Sequence, residues 1–81
     1  MFYDEVMNKY RGIYQKDKDT KAYLVHEDEK GAVEFFPQLE DDIIQYSVVE
    51  GDFEATNNSV GYVDHLSLHL LLSDKWSLIE K

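Results

Sequence analysis

The chain has 81 residues, enough for one domain, and contains no cysteine, which excludes a disulfide framework and thiolate zinc sites. Its formal net charge of −9 disfavours direct binding to nucleic acid or to anionic membranes, because both are bound by clustered Lys and Arg. The apolar fraction of 43% is enough for a small folded core, and we expect a cytoplasmic protein.

Residues 2–11 are predicted to form a helix. Asp4 and Glu5 fall in its first turn, where acidic side chains suit the helix dipole, and Gly12 fits the position just after its end. We expect its apolar stripe to pack on a sheet, because so short a helix is rarely stable alone. The stripe has spacings of three and four and consists of Phe2, Tyr3, Val6, Met7 and Tyr10.

A β-hairpin is predicted next. In residues 22–26 successive side chains alternate between two faces, as a strand requires. Residues 28–31 form the turn, in which Gly31 can adopt a positive φ. Residues 32–36 form the returning strand, which we expect Pro37 to end, because proline donates no backbone hydrogen bond.

The second half predicts further strands and a helix. Residues 43–49 are rich in β-branched side chains, residues 50–52 resemble a turn before a short strand at 53–55, and residues 56–59 have a loop composition. In residues 64–73 leucines alternate as in a strand, but leucine favours helix and Asp64 is a good N-cap, so we favour a helix. A last strand follows at 75–80. The expected fold is a single α+β domain over residues 1–81, with an antiparallel sheet of about four to five strands.

The acidic residues are concentrated in residues 27–54, which hold ten carboxylates and one base, Lys30, and so carry the whole net charge. They gather around predicted turns. We expect these turns to lie at one edge of the sheet and to form a single acidic face, although a solvated surface explains the same pattern. The candidate partner-binding residues are Glu27, Asp28, Glu29, Glu40, Asp41, Asp42, Glu50, Asp52 and Glu54, with Tyr46 and Phe53 as aromatic contact area.

The acidic face suggests a non-enzymatic module that binds a basic partner protein. The composition resembles that of small acidic inhibitors that mimic the charge of nucleic acid toward a nucleic-acid-binding protein, although no motif accompanies it. No serine elbow, glycine-rich phosphate loop or cysteine nucleophile is present, so no catalytic residue or cofactor is predicted.

Two alternatives stay open. His65 and His69 are four residues apart, a spacing found in zinc sites on helices, with a third ligand from Asp64, His26 or Asp74. In the second alternative the chain is a homo-oligomeric structural protein, which uses the N-terminal helix or the leucine-rich tail as its contact.

Overall fold

The computed structural model describes residues 1–40, 43–51, 60–63, 66 and 68–80, with backbone alone for residues 51 and 60–63. The elements are α1 (Tyr3–Lys16), β1 (Tyr23–Asp28), β2 (Gly31–Gln38), β3 (Ile43–Gly51), β4 (Val60–Val63), α2 (Leu68–Leu71) and β5 (Trp76–Ile79). The strands form one antiparallel sheet in the order β4-β3-β2-β1-β5, which carries α1 on one face. The predicted α+β class and antiparallel sheet are therefore confirmed.

Helix α1 is longer than predicted, because Gly12 lies inside it and does not end it. Val6, Met7 and Tyr10 are buried, as predicted for the apolar stripe, whereas Phe2 is 53% exposed and precedes the helix. Ile13 also packs against the core, and this contact offsets the roughly 1 kcal/mol that a glycine costs in a helix. The helix ends where the Asp17 N–H donates to the Ile13 carbonyl at 3.0 Å.

The predicted hairpin of β1 and β2 is confirmed, with Leu24 opposite Phe35 and Asp28 opposite Gly31. Pro37, however, lies within β2 and does not end it. Proline is tolerated there because the β1 ladder stops at Leu24, so Pro37 pairs with Ile44 of β3 alone.

The core lies between α1 and the inner face of the sheet. Register places Leu24 of β1, Phe35 of β2 and Tyr46 of β3 side by side, and all three are buried. Trp76 of β5 completes this layer, at 5.1 Å between its ring centroid and that of Phe35. The outer face is only partly covered, and its Tyr23 ring lies 5.4 Å from Phe36.

The second half differs from prediction in two places. Strand β4 is not among the predicted elements, because residues 60–63 fall between the predicted loop at 56–59 and the predicted helix at 64–73. Among the described residues of the tail, Leu68–Leu71 form a helix of a single turn, and β5 begins at Trp76 within the predicted last strand. The strand predicted at 53–55 and the loop at 56–59 lie outside the described residues. No helix among the described segments is long and apolar enough to cross a membrane.

Candidate functional site

The turn between β1 and β2 is fixed by two local features. The Asp28 Oδ1 atom accepts the Lys30 N–H at 2.8 Å. Gly31 has a φ of 132°, a backbone angle that residues with a Cβ rarely adopt. Together they reverse the chain tightly enough for Asp28 to face Gly31 across the hairpin. The carboxylate of Asp28 is therefore held at the end of the sheet, with its second oxygen free for other contacts.

His26 lies two residues earlier on the same face of β1, where it is 2% exposed. Its Nε2 atom lies 2.7 Å from the Ser73 Oγ atom, which belongs to the segment between α2 and β5. The register of β1 with β5 places His26 opposite Trp76, and the two rings meet edge to face at 5.1 Å. A histidine and a serine that are 47 residues apart in sequence are thus brought into hydrogen-bonding contact.

Asp28 is shared by two histidines. Its Oδ2 atom lies 3.6 Å from the His26 Nδ1 atom and 3.4 Å from the His69 Nε2 atom. The two imidazole rings are 6.1 Å apart and nearly perpendicular. His69 is half exposed, whereas His26 is enclosed, so only one of the two imidazoles is readily reached from solvent.

The electrostatics of the three groups favour a neutral His26 beside an ionised Asp28. Burial lowers the pKa of His26, with a smaller contribution from His69, and this outweighs the opposite effect of Asp28. Partial burial raises the pKa of Asp28, but the Lys30 N–H and the two histidines outweigh it and hold that pKa below its ordinary value. At neutral pH His26 therefore has one ring nitrogen available to accept a proton.

These groups border an open depression of about 890 Å³ at the hairpin end of the sheet. Leu72 is 69% exposed and supplies apolar surface there, while Lys30 and Lys75 supply positive charge. We call it the hairpin-end depression, and its lining residues are Glu27, Asp28, Glu29, Lys30, His69, Leu72, Ser73, Asp74 and Lys75.

The predicted single acidic face is wrong for the described residues, because successive hairpin turns lie at opposite ends of an antiparallel sheet. Glu27 and Glu29 line the hairpin-end depression, and Glu50 pairs with Ala32 near the same end. Glu40 follows β2 at the other end, about 23 Å away along the strand, where it forms an ion pair with Lys18 at 3.0 Å.

Tyr46 was predicted as contact area for a partner, and the structure corrects this. Its side chain is 2% exposed and packs against Phe35, at 6.3 Å between ring centroids, so it belongs to the core. The remaining predicted partner-binding residues lie outside the described part of the chain: Asp41, Asp42, Asp52, Phe53 and Glu54.

The metal-site alternative rests on His65 and His69. His65 lies outside the described residues, and His69 contacts Asp28. Within the part of the chain that the structure describes, no group of three or more His, Asp or Glu side chains is arranged to hold a metal ion.

Sequence reasoning missed the contact between His26 and Ser73. Alternation along β1 does place His26 and Asp28 on one face, but nothing local indicates that the chain returns to this point after α2. Comparison with protein-family models, with curated proteins and with solved structures finds no match. The geometry of the hairpin end therefore carries the functional argument.

Proposed function

We propose that the protein is a binding module that takes a basic segment of a partner protein into the hairpin-end depression. The supporting observation is that Glu27 and Glu29 line this depression beside the exposed Leu72. Carboxylates next to an apolar side chain suit a partner segment that carries both Lys or Arg and an apolar anchor. The proposal keeps the predicted basic partner but uses one end of the sheet in place of a whole acidic face.

The individual contributions are small. Glu27 and Glu29 are exposed, and an exposed ion pair contributes only about 0–1 kcal/mol. Lys30 and Lys75 offset part of the local negative charge. The net charge of −9 would chiefly increase the rate of encounter with a cationic partner, and burial of Leu72 would supply apolar contact area.

The proposed partner is a protein whose basic surface normally binds nucleic acid. Such surfaces carry clustered Lys and Arg, and the carboxylates of the hairpin end would occupy positions where phosphates bind. Inhibition of that protein is the proposed outcome, in the cytoplasm, without direct contact between this chain and nucleic acid or membrane.

A matched pair of variants tests the binding surface. The probe is a synthetic peptide of alternating Lys and Leu. Its binding at low salt is measured from the changes in the amide chemical shifts of the protein. We expect shifts concentrated at Glu27, Glu29 and Leu72, and about tenfold weaker binding after E27K/E29K, because local attraction becomes repulsion. The control D19K/E40K changes the net charge by the same four units at the opposite end of the sheet, where both side chains are exposed, and should weaken binding much less.

Raising the salt concentration from about 20 to about 200 mM should weaken the same binding steeply, because the interaction between exposed charges is screened. Equal loss of affinity in D19K/E40K and E27K/E29K, or shifts spread over the whole surface, would show that only net charge matters and would overturn the proposed site.

A further inference from the structure

Beyond partner binding, we propose that Ser73 is a nucleophile toward small carboxylic esters, with His26 as its general base and Asp28 as the residue that orients His26. Two of the three groups of a serine–histidine–aspartate relay are in hydrogen-bonding contact, with Ser73 Oγ 2.7 Å from His26 Nε2. The third, Asp28, has its Oδ2 atom 3.6 Å from His26 Nδ1, which is beyond a hydrogen bond but within the range of charge attraction. This site shares the hairpin-end depression with the proposed binding surface, but the two proposals are tested by separate measurements.

The hydrogen-bond directions match the chemistry. The Lys75 N–H donates to Ser73 Oγ at 3.1 Å, so the serine oxygen already accepts one hydrogen bond. The serine hydroxyl hydrogen is then directed at His26 Nε2, while the carboxylate near Nδ1 favours the tautomer that carries its proton on Nδ1. In this arrangement His26 accepts the proton that Ser73 must lose to attack.

The surroundings allow a substrate to reach the serine, and to reach the base only at the His26 Nε2 atom beside Ser73 Oγ. Ser73 is half-buried and lines the hairpin-end depression, whereas His26 lies behind it in the core. Leu72 offers apolar surface to an acyl chain. Lys30 and Lys75 border the same depression and supply positive charge for an oxyanion.

The reaction balances without any further reagent except water. The Ser73 oxygen attacks the ester carbonyl carbon and its proton passes to His26 Nε2. The bond from that carbon to the alcohol oxygen then breaks, and the alcohol leaves with the proton from His26. Water then attacks the acyl carbon and gives a proton to His26. The bond from that carbon to Ser73 Oγ breaks, the carboxylic acid leaves, and the serine oxygen recovers the proton from His26.

The test uses p-nitrophenyl acetate and mass spectrometric mapping of the acetylated residue. We expect an acetyl group on Ser73 and at least tenfold slower release of p-nitrophenol after S73A. Ser77 is the internal comparison, because it is exposed on β5 and lies opposite Val25, away from His26. Ser77 should acquire at least tenfold less label than Ser73, and S77A should react at the parent rate.

Two further readouts separate catalysis from a structural role. The variant D28N keeps a side-chain oxygen that can accept the Lys30 N–H, so it preserves the turn. It removes the negative charge beside His26, and we therefore expect at least tenfold slower acetylation of Ser73. The rate should also fall on acidification as His26 becomes protonated. No label on Ser73, equal label on Ser77, or an unchanged rate in folded D28N would each overturn the proposal.

Discussion

At the scale of single residues, Trp76 joins more parts of the domain than its position near the end of the chain suggests. Its indole is 1% exposed, lies 5.2 Å from Tyr3 of α1 between ring centroids, and donates from Nε1 to the Leu70 carbonyl at 2.9 Å. The side chain therefore ties the short helix α2 to the sheet and to α1. The Leu70 carbonyl also accepts the Ser73 N–H at 3.3 Å, so removal of the indole donor costs it one of two hydrogen bonds, the shorter and buried one.

We expect W76F to lower the free energy of unfolding by about 1–3 kcal/mol, from the lost hydrogen bond and the smaller ring. Urea unfolding followed by circular dichroism measures this, since the variant lacks the only tryptophan. The control L68A truncates a side chain that is 69% exposed and should change stability by less than about 0.5 kcal/mol. Equal effects of the two substitutions would contradict the role of Trp76.

His26 makes stability depend on pH. Burial holds its pKa in the folded protein below the value of 6.5 that applies to the unfolded chain, so the unfolded chain binds more protons in that range. Its contribution to stability is therefore complete above pH 6.5 and is lost as the pH falls below it. Asp28 and His69 face the same ring; Asp28 opposes this shift and His69 increases it.

Urea unfolding between pH 8 and pH 5 measures this effect, and the range avoids most carboxylate titration. We expect the free energy of unfolding to fall below pH 6.5, and the proton resonance of the His26 ring to titrate below the ordinary histidine value of 6.5. H26Q lacks the titrating group and should show a flatter profile. A profile equally steep in H26Q would assign the pH dependence to other groups.

At the scale of elements, two glycines have opposite roles. Gly12 lies inside α1 with open space where a Cβ would be, so G12A should raise the free energy of unfolding by about 0.5–1 kcal/mol. Gly31 has φ 132° in the hairpin turn, so G31A should lower it by about 1–3 kcal/mol. Thermal unfolding of both variants compares the same chemical change in two backbone conformations. A stabilising G31A would show that the turn does not require this conformation.

The predictability of each element follows from how local its determinants are. The β1–β2 hairpin was predictable because alternation, the Asp28 turn and Gly31 all act within a few residues. The end of α1 was not, because packing of Ile13 outweighed the local preference of Gly12 to end a helix. Pro37 was misjudged for a related reason: whether a strand tolerates proline depends on where its neighbour ends.

At the scale of the whole molecule, topology decided which side chains meet. The acids near 28 and near 40 are close in sequence, yet one strand length separates Glu29 from Glu40 in the fold. His26 and Ser73 are distant in sequence and lie 2.7 Å apart. The hydrophobic patterns of the helix and strands correctly predicted the α+β class, but the arrangement of the candidate site required the order of strands in the sheet.

Net charge should also make folding sensitive to salt. Folding confines a net charge of −9 within a radius of gyration of 11.9 Å, compared with about 28 Å for an unfolded chain of this length. Self-repulsion therefore destabilises the folded state, and screening relieves it, since the Debye length shortens from about 30 Å at 0.01 M salt to about 10 Å at 0.1 M. We expect the Tm to rise by several degrees between these salt concentrations.

Thermal unfolding by circular dichroism across a sodium chloride series measures this rise. E27Q/E29Q removes two charges from the hairpin end without adding positive ones, so its Tm should be higher at low salt and should increase less with added salt. Peptide binding at the hairpin end should respond in the opposite direction, because there salt screens an attraction. A Tm that falls with salt would mean that favourable ion pairs such as Lys18–Glu40 outweigh the net repulsion.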